Sequence, residues 1–171
     1  MKKHLNGTKL AFVWSILRIW LGLQWIEQGY YKISSGGFDA SGFLQGAIAN
    51  AGGDHPAVQG WYAGFLEGFA LPYIEFFNIL IPWGEFLVGL GLILGLATIP
   101  ALVAGAFMNL NFIMAGAGFA SLDSKLFVVE IILLFIGTAR YYIGLDRFVI
   151  PYVKIFFKRR KYGANKMKAT A

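Results

Sequence analysis

Charged and amide side chains interrupt stretches of this sequence that are otherwise apolar. Arginine and lysine donate hydrogen bonds, carboxylates accept hydrogen bonds and protons, and amides both donate and accept hydrogen bonds. A group of such side chains can therefore bind a small polar molecule and move protons. An ionisable side chain inside a membrane costs about 2.5–3.5 kcal/mol, which favours inward orientation and mutual pairing. We therefore predict a buried polar seam that binds a small molecule. Its members are Arg18, Glu27, Lys32, Asn78, Glu85, Asn109, Glu130 and Arg140.

Residue spacing predicts which face of the first apolar stretch turns inward. One helical face collects the residues that follow each other at intervals of three and four. They are Arg18, Gly22, Trp25, Gly29 and Lys32. We expect this face to lie against the other helices.

Pro82 leaves two registers open for the second apolar stretch. A helix that contains both Asn78 and Glu85 places them on one side, and Pro82 between them removes a backbone hydrogen bond and kinks the helix. A helix that begins at Pro82 instead places Glu85 in its first turn near the outer surface, where a carboxylate suits the helix dipole. The sequence is compatible with both registers.

A purely structural interpretation of the seam is the main alternative. Arg18, Arg140 and the glutamates can form ion pairs that fix the register of the helices without binding anything. Lys32 and Arg140 can also extend to the nearer membrane surface. The structural and the binding interpretations can hold together.

Four apolar segments are long enough to position these side chains inside a membrane. They cover residues 10–33, 73–97, 100–120 and 125–145, and a span needs about 20 residues. Apolar residues make up 57% of the chain, more than a soluble domain of 171 residues usually has. The short links after the second and third segments favour antiparallel neighbours. The sequence predicts an all-α integral membrane four-helix bundle.

Basic residues at both ends predict the orientation. Lys2, Lys3 and Lys9 precede the first segment, and a basic run that includes Lys154 and Lys158 follows the fourth. Positive residues stay on the cytoplasmic side, so we expect a multi-pass protein of the cell membrane with both termini in the cytoplasm.

The predicted domain boundaries follow from this orientation. Residues 1–147 form the transmembrane domain, and its outer loop, residues 34–72, carries two short amphipathic helices as a cap. The spacing of Gly60, Gly64 and Gly68 predicts close packing of one of these helices. Residues 148–171 form a basic segment at the cytoplasmic surface and a disordered tail.

Composition excludes several kinds of chemistry. The chain has no cysteine, so it cannot build a disulfide or an iron–sulfur cluster by itself. His4 and His55, the only histidines, lie outside the predicted spans, which excludes a transmembrane haem held by two histidines. We predict no metal site and treat His55 beside Asp54 as an ordinary loop. The basic residues flank apolar spans, so nucleic acid is not an expected partner.

Several stretches together resemble a known family of small membrane proteins. They are LRIWLGLQWIEQGYYKI (residues 17–33), FDASGFL (38–44), IPWGEFLVGLGLILGLAT (81–98) and ARYYIGLDR (139–147). In their order and spacing the chain is similar to the DoxX/DoxD-like family of four-span proteins. For the DoxD branch, the resemblance implies a subunit of a thiosulfate:quinone oxidoreductase. The motif positions that we carry over are Arg18, Gly29, Lys32, Glu85, Arg140 and Asp146.

The leading functional hypothesis combines the seam with this resemblance. A membrane subunit of a quinone-linked oxidoreductase would use the seam to bind quinone, with no cofactor of its own and with electrons from a partner redox subunit. The first alternative is a carrier or channel for a small solute, and the second is a non-catalytic assembly or anchoring subunit. The lipid bilayer is the expected environment, and further copies of the chain are candidate partners. No catalytic residue is assigned.

Overall fold

The computed structural model describes residues 8–136 and 143–155, and all regular elements in these ranges are helical. Their bounds are α1 Thr8–Ser34, α2 Ser41–Ala49, α3 Gly60–Phe65, α4 Ile74–Leu94, α5 Thr98–Phe112, α6 Leu122–Phe135 and α7 over residues 146–155. π-Helical turns extend α3 over Leu66–Ala70 and α5 over Ile113–Ala117. Arg140 and the predicted tail lie outside the described residues.

Three helices of the described chain are long and apolar enough to cross a membrane. They are Leu10–Ser34, Ile74–Leu94 and Thr98–Ala117. The described part of α6 has 14 residues, which corresponds to about 21 Å at 1.5 Å per residue. The fourth predicted span, residues 125–145, includes residues 137–142, which the structure does not describe. An all-helical fold with three candidate spans is therefore confirmed, and the fourth span stays a prediction.

Glycines allow α1 and α4 to pack with their backbones in contact. A Cβ on Gly29 would lie 2.5 Å from the backbone nitrogen of Phe86 and 2.8 Å from the carbonyl oxygen of Pro82. A Cβ on Gly89 would lie 2.5 Å from the backbone nitrogen of Ile26. This is the most extensive helix contact in the described structure, and α5 and α6 form the next. Close approach through small residues is the usual way in which membrane helices gain van der Waals contact.

The structure decides between the two registers of the second apolar stretch. Helix α4 begins at Ile74 and contains Pro82, so Asn78 and Glu85 belong to one helix and the register that starts at Pro82 is wrong. Pro82 removes one backbone hydrogen bond, but the residue is buried and its carbonyl oxygen lies against Gly29 of α1. Tertiary packing therefore keeps the helix continuous through the proline.

Helices α2 and α3 cover one end of α4 and α5. They share a second apolar core with Val58 and Ala115, and the Tyr62 hydroxyl donates to the Asn111 carbonyl and side-chain oxygens, each at 3.1 Å. Burial raises the pKa of Tyr62 to about 12. The predicted close packing through Gly60, Gly64 and Gly68 is wrong, because a Cβ on any of them would meet open space.

Asp146 at the start of α7 holds the turn between α4 and α5. Its carboxylate accepts hydrogen bonds from the backbone N–H groups of Ala97, at 2.8 Å, and Thr98, at 2.7 Å. Ala97 has φ 52°, a left-handed conformation that costs a non-glycine residue about 1–2 kcal/mol. Two charge-assisted hydrogen bonds offset this cost and cap the first turn of α5.

Candidate functional site

A cavity of about 430 Å³ lies between α1, α4, α5 and α6, beneath the loop that leads into α2. Its volume falls within the range of ligand-binding pockets, about 300–1,000 Å³. Apolar and aromatic side chains make up most of its wall. The residues that matter for its chemistry are Trp25, Lys32, Phe38, Glu85, Asn109 and Phe112.

An ion pair between α1 and α4 forms one side of the cavity. Lys32 Nζ donates to Glu85 Oε1 at 2.5 Å, with the Lys32 side chain 21% exposed and the Glu85 side chain 2% exposed. The same ammonium lies 5.3 Å from the ring centre of Phe38 and 5.8 Å from that of Phe112. Opposite charge and two aromatic rings together stabilise the Lys32 ammonium in this wall of the cavity.

A buried triad of Trp25, Glu130 and Asn109 lies at the deep end of the cavity. Trp25 Nε1 donates to Glu130 Oε1 at 2.9 Å, and Asn109 Nδ2 donates to Glu130 Oε2 at 3.0 Å. All three side chains are at most 2% exposed. Gly105 makes room for the carboxylate, because a Cβ there would lie 2.5 Å from Glu130 Oε1.

Two acceptor atoms of the cavity wall have no hydrogen-bond partner among the described residues. They are Glu85 Oε2, the oxygen that Lys32 does not use, and Asn109 Oδ1, the amide oxygen opposite Glu130. Leaving a buried acceptor unsatisfied costs about 1–3 kcal/mol, so such atoms are rare in folded proteins. These two free acceptors therefore suit a ligand that brings its own hydrogen-bond donors.

The predicted seam is divided between the two ends of the helices. Arg18 lies 14 residues before Lys32 on α1, a distance of about 21 Å along the helix. Its Nη2 donates to the carbonyl oxygen of Ile143 at 2.6 Å, and a Cβ on Gly95 would lie 2.5 Å from its Nη1. Arg18 thus joins α1 to the α4–α5 turn and the segment before α7, away from the cavity.

The other sequence-predicted site residues have separate positions. Asn78 Oδ1 accepts from the Ala40 backbone N–H at 2.8 Å and its Nδ2 donates to Asp39 Oδ1 at 3.2 Å, so it holds the loop that roofs the cavity. Glu27 is exposed, contrary to the expected inward orientation, because it lies two residues, about 200°, around α1 from the buried Trp25. Arg140 lies outside the described residues. The structure brings together Lys32, Glu85, Asn109 and Glu130.

Three residues of the cavity were missing from the sequence-based site. Trp25 was placed on the inward face but not in the site, although it lies seven residues from both Arg18 and Lys32. This spacing places Trp25 on the polar face of α1. A buried indole N–H needs an acceptor, so the sequence could have predicted that Trp25 belongs to the site. Phe38 and Phe112 gave no signal, because aromatic residues are frequent throughout this chain, which is 17% Phe, Trp and Tyr.

The nature of the donor atoms indicates which ligands fit. In the described ranges, no group of three or more His, Cys, Asp or Glu side chains converges as metal ligands do. The cavity lining instead combines one ammonium, aromatic side chains and several carboxylates and amides, and two of these, Glu85 and Asn109, each carry an unpartnered acceptor. This combination suits a small organic molecule with polar groups on a ring.

Comparison with known protein families finds a match over most of the helices. The DoxX family model matches residues 13–120, which run from within α1 to just beyond the π-helical turn after α5 and include Trp25 and Asn109 but not Glu130. No curated protein and no solved structure matches the chain. The family match covers more than half of the sequence, and together with three helices able to cross a bilayer it establishes that this membrane protein belongs to the DoxX family.

Proposed function

We propose that this protein is the membrane subunit of a quinone-linked oxidoreductase and that the cavity binds the quinone ring. The observation that carries the proposal is the pair of buried, unpartnered acceptors, Glu85 Oε2 and Asn109 Oδ1, in a cavity of about 430 Å³. The hydroxyl groups of a reduced quinone can satisfy both acceptors, and the Lys32 ammonium can donate to a ring oxygen.

The side of the cavity between α1 and α6 supports access from the bilayer. These two helices make only sparse contact, and Gln24, Gln28 and Leu122 line the cavity between them. Gln28 and Leu122 are exposed. A quinone has a polar ring on an apolar tail, so the ring can occupy the cavity while the tail extends through this gap into lipid.

Electron transfer needs a second protein in this proposal. Reduction of a quinone takes up two electrons and two protons, and a chain without cysteine holds no iron–sulfur cluster to deliver the electrons. A partner redox subunit that oxidises a sulfur compound such as thiosulfate, as the family resemblance implies, would supply them. In this proposal, the carboxylate of Glu85 exchanges a proton with a ring oxygen of the bound quinone.

The proposed topology has four spans, with α6 and the residues that follow it as the fourth. Both termini then lie in the cytoplasm of a cell-membrane protein, α2 and α3 cap the outer face, and α7 lies along the inner surface. In this orientation the cavity belongs to the outer half of the bilayer.

A layer of leucines supports a binding site in preference to a solute pathway. Leu21, Leu92, Leu102 and Leu133 are fully buried, and each lies on the Arg18 side of the Trp25–Glu130–Asn109 triad. Together they close the deep end of the cavity with packed apolar side chains. A carrier would have to open this layer, and the described helices run through these four leucines without a break.

Equilibrium binding to the purified protein in lipid nanodiscs tests the proposal. The probe is a quinol with a ten-carbon tail, in wild type and in Glu85→Gln, which turns an amide N–H toward a ligand that also donates. We expect Glu85→Gln to weaken quinol binding at least about tenfold. Glu75→Gln removes an exposed carboxylate from the same helix and should leave affinity unchanged. No saturable binding to wild type, in either redox form of the probe, would refute the proposal.

A further inference from the structure

We infer, on the basis of the proposed quinone site, that the cavity holds the reduced quinol more tightly than the oxidised quinone. The Trp25–Glu130–Asn109 triad sets this preference, because it fixes which end of the Asn109 amide faces the ligand. Asn109 is then a specificity-determining residue, and Glu130 and Trp25 are positioning residues that act through it.

The orientation of the triad follows from the chemistry of the indole. Trp25 Nε1–H can only donate, so the Glu130 oxygen that it meets at 2.9 Å must accept. The second Glu130 oxygen accepts from Asn109 Nδ2 at 3.0 Å. A carboxylate that accepts at both oxygens thus holds the amide with its nitrogen toward Glu130 and leaves the amide oxygen without a partner among the described residues.

The consequence is that two side chains of the cavity lining each keep one unpartnered acceptor for a ligand. Asn109 Oδ1 is the amide atom without a partner among the described residues, and Glu85 Oε2 is left free because Lys32 takes Oε1. Both side chains are at most 2% exposed, so water outside the protein cannot satisfy them. A quinol donates from two hydroxyls, whereas the two carbonyls of a quinone only accept. An acceptor that faces another acceptor loses its hydrogen bond and is also desolvated.

At Glu85, the Lys32 ammonium favours a neutral donor over a metal cation. Lys32 and Glu85 form a pair whose charges cancel, and the ammonium at 2.5 Å from Glu85 Oε1 repels a second cation at the same carboxylate. Neutral hydroxyl groups meet the free acceptors without this repulsion.

The substitution Glu130→Gln should weaken the preference for quinol over quinone. The indole N–H still requires an acceptor, so the Gln oxygen takes the position of Oε1 and its NH₂ group faces Asn109. Asn109 must then turn its oxygen toward position 130 and its NH₂ group into the cavity, where it can donate to a quinone carbonyl. The side chain at position 130 keeps its size, so the change acts through hydrogen-bond polarity.

The experiment measures the dissociation constants of the quinol and the quinone with the same ten-carbon tail, in nanodiscs under anaerobic conditions. We expect wild type to bind the quinol at least about tenfold more tightly, and Glu130→Gln to lower this ratio by at least about tenfold. Asn109→Leu, which has similar volume and no acceptor, should also lower the ratio. It serves as the second variant if Glu130→Gln does not fold. Glu67→Gln, an exposed carboxylate on the π-helical turn after α3, is the matched control and should leave the ratio unchanged.

The possible outcomes separate this inference from the proposed function. Wild type that binds both redox forms equally, or the quinone more tightly, overturns the inference and leaves a quinone site in place. A ratio that stays constant in folded Glu130→Gln or in Asn109→Leu overturns the role of the triad. Absence of binding of either form overturns both the inference and the proposed function.

Discussion

Lys32 on α1 and Glu85 on α4 form an ion pair of 2.5 Å in which only one carboxylate oxygen is used. The pair lies on the side of α1 that packs against α4 through Gly29, so the residues that bring the helices together also bring the charges together. Because the second oxygen is buried without a partner among the described residues, the pair is a structural link that, in the proposed function, also contacts the ligand.

Removal of the Lys32 charge alone should destabilise the protein. Lys32→Met leaves the Glu85 carboxylate, which is 2% exposed, without its counter-charge, and breaking such a pair costs about 3 kcal/mol. The measurement is the free energy of unfolding in a titration of mixed detergent micelles with dodecyl sulfate. The double variant Lys32→Met, Glu85→Leu removes both charges and should recover most of the loss. Equal losses in the single and double variants would contradict a mutual pairing.

Substitution of Gly29 should separate α1 from α4. Gly29→Ala places a Cβ 2.5 Å from a backbone nitrogen, which cannot rotate away, so the helices must move apart at a cost of about 1–3 kcal/mol. Gly46→Ala on α2 is the control, because a Cβ there meets nothing within 4 Å and should stabilise the helix by about 0.5–1 kcal/mol. The same unfolding titration distinguishes them. We expect the free energy of unfolding to fall in Gly29→Ala and to rise in Gly46→Ala. An unchanged free energy of unfolding in Gly29→Ala would contradict the close contact between α1 and α4.

The loop that roofs the cavity should depend on the ionisation of Asp39. The Ser41 hydroxyl and backbone N–H, together with the Asn78 amide, donate to its carboxylate and hold its pKa below the usual range. A depressed pKa stabilises the fold above the unfolded-state value of about 3.9, and this stabilisation is lost as pH falls through the folded-state pKa. The measurement is the titration midpoint of the Asp39 carboxyl carbon by NMR. Ser41→Ala should raise this midpoint, and an unchanged midpoint would contradict the hydrogen-bonded loop.

The proposed topology predicts which introduced cysteines are accessible from outside the cell. The natural chain has no cysteine, so each single substitution gives one reactive thiol. Asp54→Cys in the cap should react with a membrane-impermeant maleimide in intact cells. Lys154→Cys at the end of α7 should react only after lysis. The reverse pattern would place the cavity in the inner half of the bilayer.

The helical elements were largely predictable because membrane spans need long apolar stretches and permit few other solutions. The inward face of α1 was also correct: Arg18, Gly22, Trp25 and Gly29 are buried. Glu27 was placed in the seam from its charge alone, although helical periodicity puts it about 200° from Trp25. A strict use of the same periodicity would have excluded it.

The partners of the site residues were less predictable than their burial. Trp25 and Glu130 are 105 residues apart in the chain, and their hydrogen bond depends on how α1 and α6 meet across α5. The division of the seam into two ends follows from the distance between Arg18 and Lys32 along α1. This distance could have been calculated from the sequence, because the rise per residue of a helix is known. The spacing of residues on α4 could not show that Asn78 holds a loop, because its partners are Asp39 and Ala40, which lie in that loop far from Asn78 in sequence.

The most direct test of the proposed site is a crystal structure of the protein grown in a lipid mesophase with the ten-carbon quinol. We expect ring density in the cavity, with one oxygen about 3 Å from Glu85 Oε2 and the other within reach of Asn109 Oδ1. A quinol bound elsewhere, or a cavity filled by side chains or lipid tails in the presence of saturating quinol, would contradict the assignment of this cavity as the quinone site.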